Sequence, residues 1–242
     1  MSDEVVIATP DGPMSAFVAA PDGRARGPAV IVAQEAFGVN AHIRDVCGRF
    51  AREGFVAIAP ELFHRTGPGF SLPPGELDFS RVRPHLASLT NEAIATDVRA
   101  TLDHLRASPR VDPKRIGIVG FCMGGFVAFL AACRTDVASA VAFYGGGLVE
   151  KRPALKLEPP LGEASEITAP ILLFFGGEDA GIPKEQIETI RTRLTELGKR
   201  YDIRVYPGGK HGFFNDARPD AYHEEAAKDA WVRTLDWFRT TL

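Results

Sequence analysis

The sequence predicts an α/β fold: a mainly parallel central sheet, opened by an antiparallel hairpin and covered by helices on both faces. Three observations carry this. Apolar strands alternate along the chain with amphipathic helical stretches. The central strand candidates are continuously apolar, as strands buried on both faces must be. Two short segments joined by a Pro-Asp-Gly-Pro turn open the chain as a hairpin. The 242 residues suit one domain spanning 1–242, and a chain of this length buries roughly 70–75% of the surface it exposes when unfolded.

The elements follow in order. "EVVIAT" (4–9) and "MSAFVAA" (14–20) flank the opening turn. "AVIVAQ" (29–34) reads as a central strand, and "AHIRDVCGRFAREG" (41–54) as a helix that Gly54 ends. "FVAIAPEL" (55–62) is the next strand. Residues 64–85 are dense in Gly and Pro and read as a long irregular loop. "NEAIATDVRATLDHLRAS" (91–108) is a helix, "RIGIVGF" (115–121) a buried strand, and "MGGFVAFLAAC" (123–133) a helix that follows it at once. "SAVAFYGG" (139–146) is a strand and 151–170 a linker. "ILLFFGGEDAGIP" (171–183) is a strand with its exit loop, 184–198 a helix, and "YDIRVYPGG" (201–209) a strand. The terminal helix, 221–242, carries Trp231, Leu235 and Phe238 at helical spacing, a core stripe and not a cofactor box.

Composition narrows the function classes. Hydrophobic residues make up 45% and charged residues 24%, with a net charge of −3, which gives no sign of a nucleic-acid or membrane-surface partner. Cys47, Cys122 and Cys133 are odd in number and far apart. That fits a reducing compartment better than a disulfide framework and argues against a cysteine-based zinc site. The first residues have no basic stretch followed by an apolar run, so no signal peptide is expected. No window reaches the ~18 apolar residues of a membrane span. The expectation is a soluble cytoplasmic protein, with a monomer suited to this size.

The chemistry concentrates in "GFCMGG" (120–125). Cys122 follows an apolar strand directly and precedes a helix that opens with small residues. Such a turn exposes the side chain at the carboxyl end of a sheet and aims the following N–H, that of Met123, into the same space. The helix dipole there favours thiolate. Cys47 and Cys133 lie within amphipathic helices and read as inert core thiols. A thiol nucleophile needs a base and an orienting acid. Asp179 follows "ILLFFGGE" and His211 follows "IRVYPGGK", both just past strand ends. The chain order nucleophile, acid, histidine is that of the α/β-hydrolases. Glu178 is the rival acid; Asp179 is preferred.

Together "AQEAFGVN" (33–40), "GFCMGG" (120–125), "GGEDAGIP" (176–183) and "PGGKHGFF" (207–214) resemble the dienelactone hydrolase family of the α/β-hydrolase fold. The resemblance runs almost the full length. It implies a cofactor-free hydrolase of small lactones or esters with Cys122, Asp179 and His211 as triad. It also implies that Glu35 touches the resting thiol and helps take up its proton when substrate arrives. The backbone N–H groups of Ala36 and Met123 would form the oxyanion hole. Family members acting on dienelactone hold its carboxylate with two arginines. One stands four residues after the histidine, where this chain has Asn215. For the other, Arg81 and Arg83 are the candidates, with Phe37 and Phe213 as apolar lining, and the pocket is expected to favour uncharged esters. Two alternatives stay open: a broad carboxylesterase that does not act on dienelactone, and a non-catalytic binding or redox-sensing protein using Cys122.

Overall fold

The computed structural model of the chain describes residues 2–23, 26–73, 75–153 and 155–242. Pro74 in the expected 64–85 loop and Ala154 in the expected 151–170 linker therefore lie outside the described residues. Eight strands form one sheet: β1 (Ser2–Thr9), β2 (Gly12–Ala19), β3 (Gly27–Ala33), β4 (Val56–Pro60), β5 (Val111–Phe121), β6 (Ser139–Phe143), β7 (Ile171–Gly176) and β8 (Tyr201–Tyr206). Their order is β1-β2-β4-β3-β5-β6-β7-β8. β1 pairs antiparallel with β2, and β2 with β4; every pairing from β4 to β8 is parallel. The helices are α1 (Ala41–Arg52), α2 (Phe79–Leu86), α3 (Asn91–Ala107), α4 (Met123–Arg134), α5 (Lys184–Glu196) and α6 (Glu224–Thr241). This is the α/β-hydrolase fold.

The central strand β5 shows how both faces are covered. Its five residues from Gly117 to Phe121 are all buried. A Cβ added at Gly117 would stand 2.7 Å from the Phe238 ring of α6, whereas one at Gly120 would stand 1.8 Å from the Gly124 carbonyl of α4. Residues three apart on a strand point to opposite faces, so α6 and α4 lie on opposite sides and pack through the two glycines. On the α6 side, Phe50 of α1 meets Trp231 with ring centroids 4.7 Å apart and Phe238 at 6.0 Å. The terminal aromatic stripe is core packing, as its spacing implied.

The chain departs from the sequence expectation where Gly and Pro crowd. The segment 64–85 is not wholly irregular, because α2 occupies its end. Asp78 caps α2 by accepting from the Ser80 N–H at 2.9 Å, and Val82 anchors it with no exposure. Pro84 removes one helical donor, which keeps the helix short. The 151–170 linker likewise holds a 3₁₀ turn, Pro160–Glu166. α6 begins at Glu224, three residues later than expected, because His223 is its N-cap and accepts from the Ala226 N–H.

The strand order reverses direction between β3 and β5, and the crevice at the carboxyl ends of such neighbours is where open α/β sheets bind ligands. The exits of β3, β5, β6, β7 and β8 all open on that edge.

Candidate active site

Cys122 is the turn between β5 and α4. Its backbone sits at φ 54°, ψ −112°, a region that costs a non-glycine residue of order 1–3 kcal/mol. Neighbours hold it there. The Cys122 N–H donates to the Phe143 carbonyl at 3.0 Å, and its carbonyl accepts from the Gly125 N–H at 2.9 Å. Gly124 lets α4 approach β3 so closely that a Cβ would stand 2.1 Å from the Ala33 carbonyl oxygen. The small residues after Cys122 are therefore a packing requirement of the turn.

The loops after β7 and β8 bring two more expected residues to this point. His211 Nε2 lies 3.0 Å from Cys122 Sγ, and His211 Nδ1 lies 2.7 Å from Asp179 Oδ2. Asp179 is buried, while its neighbour Glu178 is exposed. The same Asp179 carboxylate also accepts from the Gly181 N–H at 2.8 Å through its other oxygen, so it closes its own turn and orients the imidazole at once. Burial alone would lower the His211 pKa. The charge of the Cys122 sulfur and the bond to Asp179 outweigh it and raise the imidazole to about 10.

Glu35 departs from expectation. It follows β3 and is 1% exposed, but no hydrogen bond joins it to Cys122 among the described residues. Its Oε2 accepts from Asn215 Nδ2 at 2.8 Å and its Oε1 from the Tyr144 hydroxyl at 3.4 Å. Nearby His42 is buried against Phe121 and Phe214, and burial lowers its pKa. The Glu35 carboxylate is thus held by neutral donors. Tyr144, at the exit of β6, is a residue the sequence reading passed over. Burial, together with the charge of Glu35, keeps its hydroxyl protonated, and its ring stands edge-on to His211 with centroids 5.2 Å apart. The signal was available: "FYGGG" ends a strand in glycines, as do the segments carrying Asp179 and His211.

A cavity of about 90 Å³ opens beside Cys122 and His211. Ala36 and Met123 line it on one side, and Phe79, Leu86, Phe126 and Leu157 supply apolar walls. Met123 is the first residue of α4, so its N–H has no acceptor within the helix. The residues expected as pocket lining stand elsewhere. Arg81 pairs with Glu76 at 2.9 Å and Arg83 is exposed on α2; neither lines the cavity. Phe37 is buried behind Phe79, with centroids 5.6 Å apart. Phe213 is wholly buried against Tyr144 and Tyr206. Asn215 faces Glu35 and is not part of the wall. The arginine that does line the cavity is Arg152, from the linker after β6. Among the described residues, no group of three or more metal-ligating side chains comes together, all three cysteines are free, and no helix is long and apolar enough to cross a membrane.

The pattern of the dienelactone hydrolase family matches residues 14–242. The chain belongs to the dienelactone hydrolase family. It is accordingly a hydrolase acting on ester or lactone bonds. A protein of Synechocystis sp. named as a candidate carboxymethylenebutenolidase is 39% identical over 232 residues, covering 95% of this chain and 92% of its own. A Bradyrhizobium protein named as a candidate 2-oxo-3-(5-oxofuran-2-ylidene)propanoate lactonase is 33% identical, covering 98% of this chain and 93% of its own. The crystal structure of a candidate dienelactone hydrolase from Klebsiella pneumoniae superposes with a TM-score of 0.89 at 36% identity, covering 99% of this chain and 98% of that one.

Proposed function

We propose that this member of the family is a cofactor-free thiol hydrolase that cleaves a small lactone or ester through Cys122, His211 and Asp179. The observation that carries the reading is the unbroken line Sγ–Nε2 at 3.0 Å and Nδ1–Oδ2 at 2.7 Å beside the apolar cavity. His211 Nε2 holds the proton given up by the Cys122 thiol, and the thiolate attacks the substrate carbonyl carbon, forming a C–S bond. The carbonyl electron pair moves to oxygen, where the Ala36 and Met123 N–H groups donate to it. Collapse breaks the C–O bond, and the departing oxygen takes the proton from His211. Water then attacks the thioester and gives its proton to His211. The C–S bond breaks, releasing the acid and restoring the thiolate. Asp179 holds the imidazole in one orientation throughout.

A thiolate is a good nucleophile and a good leaving group, which suits activated acyl bonds such as an enol ester in a lactone ring and not amides. The small cavity favours small acyl groups. The names of the Synechocystis and Bradyrhizobium relatives point the same way, to butenolide and furanone lactones.

The test is p-nitrophenyl acetate hydrolysis with and without iodoacetamide, in wild type and in Cys122→Ala and Cys133→Ala. Alkylation and Cys122→Ala should abolish turnover, and Cys133→Ala should retain it. Hydrolysis surviving in Cys122→Ala would sink the mechanism.

A further inference from the structure

The cavity beside Cys122 has a buried floor and an exposed rim. Met123, Phe126 and Leu157 line it and are buried. Leu86 of α2 and Leu155 of the linker after β6 also line it but are half-buried, and Phe79 is 54% exposed. A lone exposed apolar residue needs no explanation. Phe79 is not alone, because it shares the rim with two leucines. Apart from Cys122, His211 and the exposed Arg152, the described residues lining the cavity offer only apolar side chains or bare glycine.

The Phe79 ring is held in place although it is open to solvent. Buried Phe37 meets it edge-on, with centroids 5.6 Å apart and planes at 66°. Asp78, one residue before, caps α2 by accepting from the Ser80 N–H at 2.9 Å, which fixes where the helix begins. An aromatic surface is therefore presented to water at the mouth of the reacting site.

The chemistry divides floor from rim. After attack by Cys122 the acyl group stays on the sulfur, whereas the alcohol portion of an ester leaves to solvent, and its way out passes the rim. An incoming alcohol travels the same path in reverse. His211, which gives its proton to the departing oxygen, is then the base for the arriving one.

We propose that Phe79, Leu86 and Leu155 form an alcohol subsite for an aromatic or similarly apolar alcohol, and that the protein also transfers acyl groups from Cys122 to such alcohols in competition with water. This rests on the thiol-hydrolase reading above and adds an acceptor to it. The alcohol oxygen attacks the thioester carbonyl carbon and forms a C–O bond, and its proton passes to His211. The C–S bond breaks, its electron pair returns to the sulfur, and a new ester leaves. The apolar body of the alcohol covers the Phe79 ring and removes apolar surface from water, and a ring-to-ring contact adds to that. Water gains nothing from the rim.

The experiment acylates the protein with p-nitrophenyl acetate in a mixture of benzyl alcohol and methanol at equal concentration. The two alcohols are of similar acidity, and methanol is the less hindered. The reading is the ratio of benzyl acetate to methyl acetate, measured by gas chromatography after subtraction of the protein-free reaction. In wild type the ratio should exceed one. In Phe79→Ser it should fall by about 2- to 12-fold, the value of one aromatic pair, and Phe79→Tyr, which keeps the ring, should retain it. Release of p-nitrophenol by each variant shows that it is folded and acylated. A wild-type ratio at or below one, no alkyl acetate formed, or a ratio unchanged in Phe79→Ser would overturn the subsite while leaving the thiol mechanism intact. Absence of p-nitrophenol release in wild type, or release that survives in Cys122→Ala, would overturn the mechanism itself.

Discussion

The bond between Asn215 and Glu35 gives the sharpest energetic prediction. Both residues are buried, at 3% and 1% exposure. Asn215 Nδ2 donates to Glu35 Oε2 at 2.8 Å, a good charge-assisted distance, while the second donor, Tyr144, stands off at 3.4 Å. Asn215→Leu would leave a buried carboxylate oxygen without its main donor. Hydrogen bonds to charged groups contribute about 1.5–3 kcal/mol, and a chain of this length loses about 2–4 °C of Tm per kcal/mol. The expected drop is therefore about 3–12 °C. Asn215 Oδ1 also accepts from the Ala217 N–H at 3.0 Å, so a single variant mixes two losses. A double-mutant cycle with Glu35→Leu separates them. The Ala217 bond is lost in both Asn215→Leu backgrounds and cancels, leaving the pairwise term. Replacing both partners with apolar groups should recover much of the single-variant loss. The readouts are thermal and urea unfolding of the four proteins. A coupling energy below about 0.5 kcal/mol, within the range expected for independent sites, would show that Asn215 does not hold Glu35.

Two further predictions concern the sulfur. Iodoacetamide at neutral pH should label Cys122 alone, as read by peptide mass spectrometry. Cys47 is wholly buried with its thiol pKa pushed far up by burial, and Cys133 is pushed to about 12, chiefly by burial; labelling of either at a comparable rate would contradict the burial argument. The His211 imidazole, followed by NMR, should stay protonated until about pH 10 in wild type. Its folded pKa lies above the ordinary value, so the stabilisation it brings is full below about pH 6.5 and disappears as pH rises through about 10. In Cys122→Ser the partner charge is gone and the midpoint should fall; an unchanged midpoint would mean that the sulfur is not the counter-charge.

The parts of this site that the sequence disclosed are those written in local pattern. Cys122, Asp179 and His211 each follow an apolar strand and sit among glycines, so periodicity and turn chemistry located them before any contact was known. The choice of Asp179 over Glu178 came from reach, and the fold adds a simpler cause: one residue further along the turn, the side chain points inward. The motif "AQEAFGVN" also has a local account. Asn40 caps α1 by accepting from the Ile43 N–H at 3.2 Å. Gly38 has φ +81°, and a Cβ there would meet the Phe70 carbonyl at 2.2 Å. What the sequence hid are pairings across distance. Asn215 and Glu35 are 180 positions apart, and no pattern in either neighbourhood names the other. Arg152 stands in a segment with no periodicity, where an arginine reads as solubilising charge. Arg81 and Arg83 carried the same composition signal, and only the course of α2 shows that they face away.

The pairing of Glu35 with Asn215 bears on how the thiol rests. A carboxylate that took the sulfur's proton would have to reach it. Here the carboxylate is engaged by Asn215 and Tyr144, while the sulfur faces an imidazole 3.0 Å away. The backbone leaves Cys122 little freedom to turn from that imidazole. Its φ of 54° is fixed by the bonds to Phe143 and Gly125 on either side of the residue, and the glycine contacts of α4 on β3 and β5 oppose relaxation. Strain of this kind persists only where the surroundings over-determine it. The sulfur and the imidazole therefore meet in the free protein, and proton transfer between them requires no prior movement of Glu35. The expected consequence is kinetic: inactivation by iodoacetamide should be fast without substrate, and saturating substrate should slow it by occupying the cavity. If substrate accelerated the alkylation, the thiol would have to be released from some other resting partner, and Glu35 would again be the first candidate.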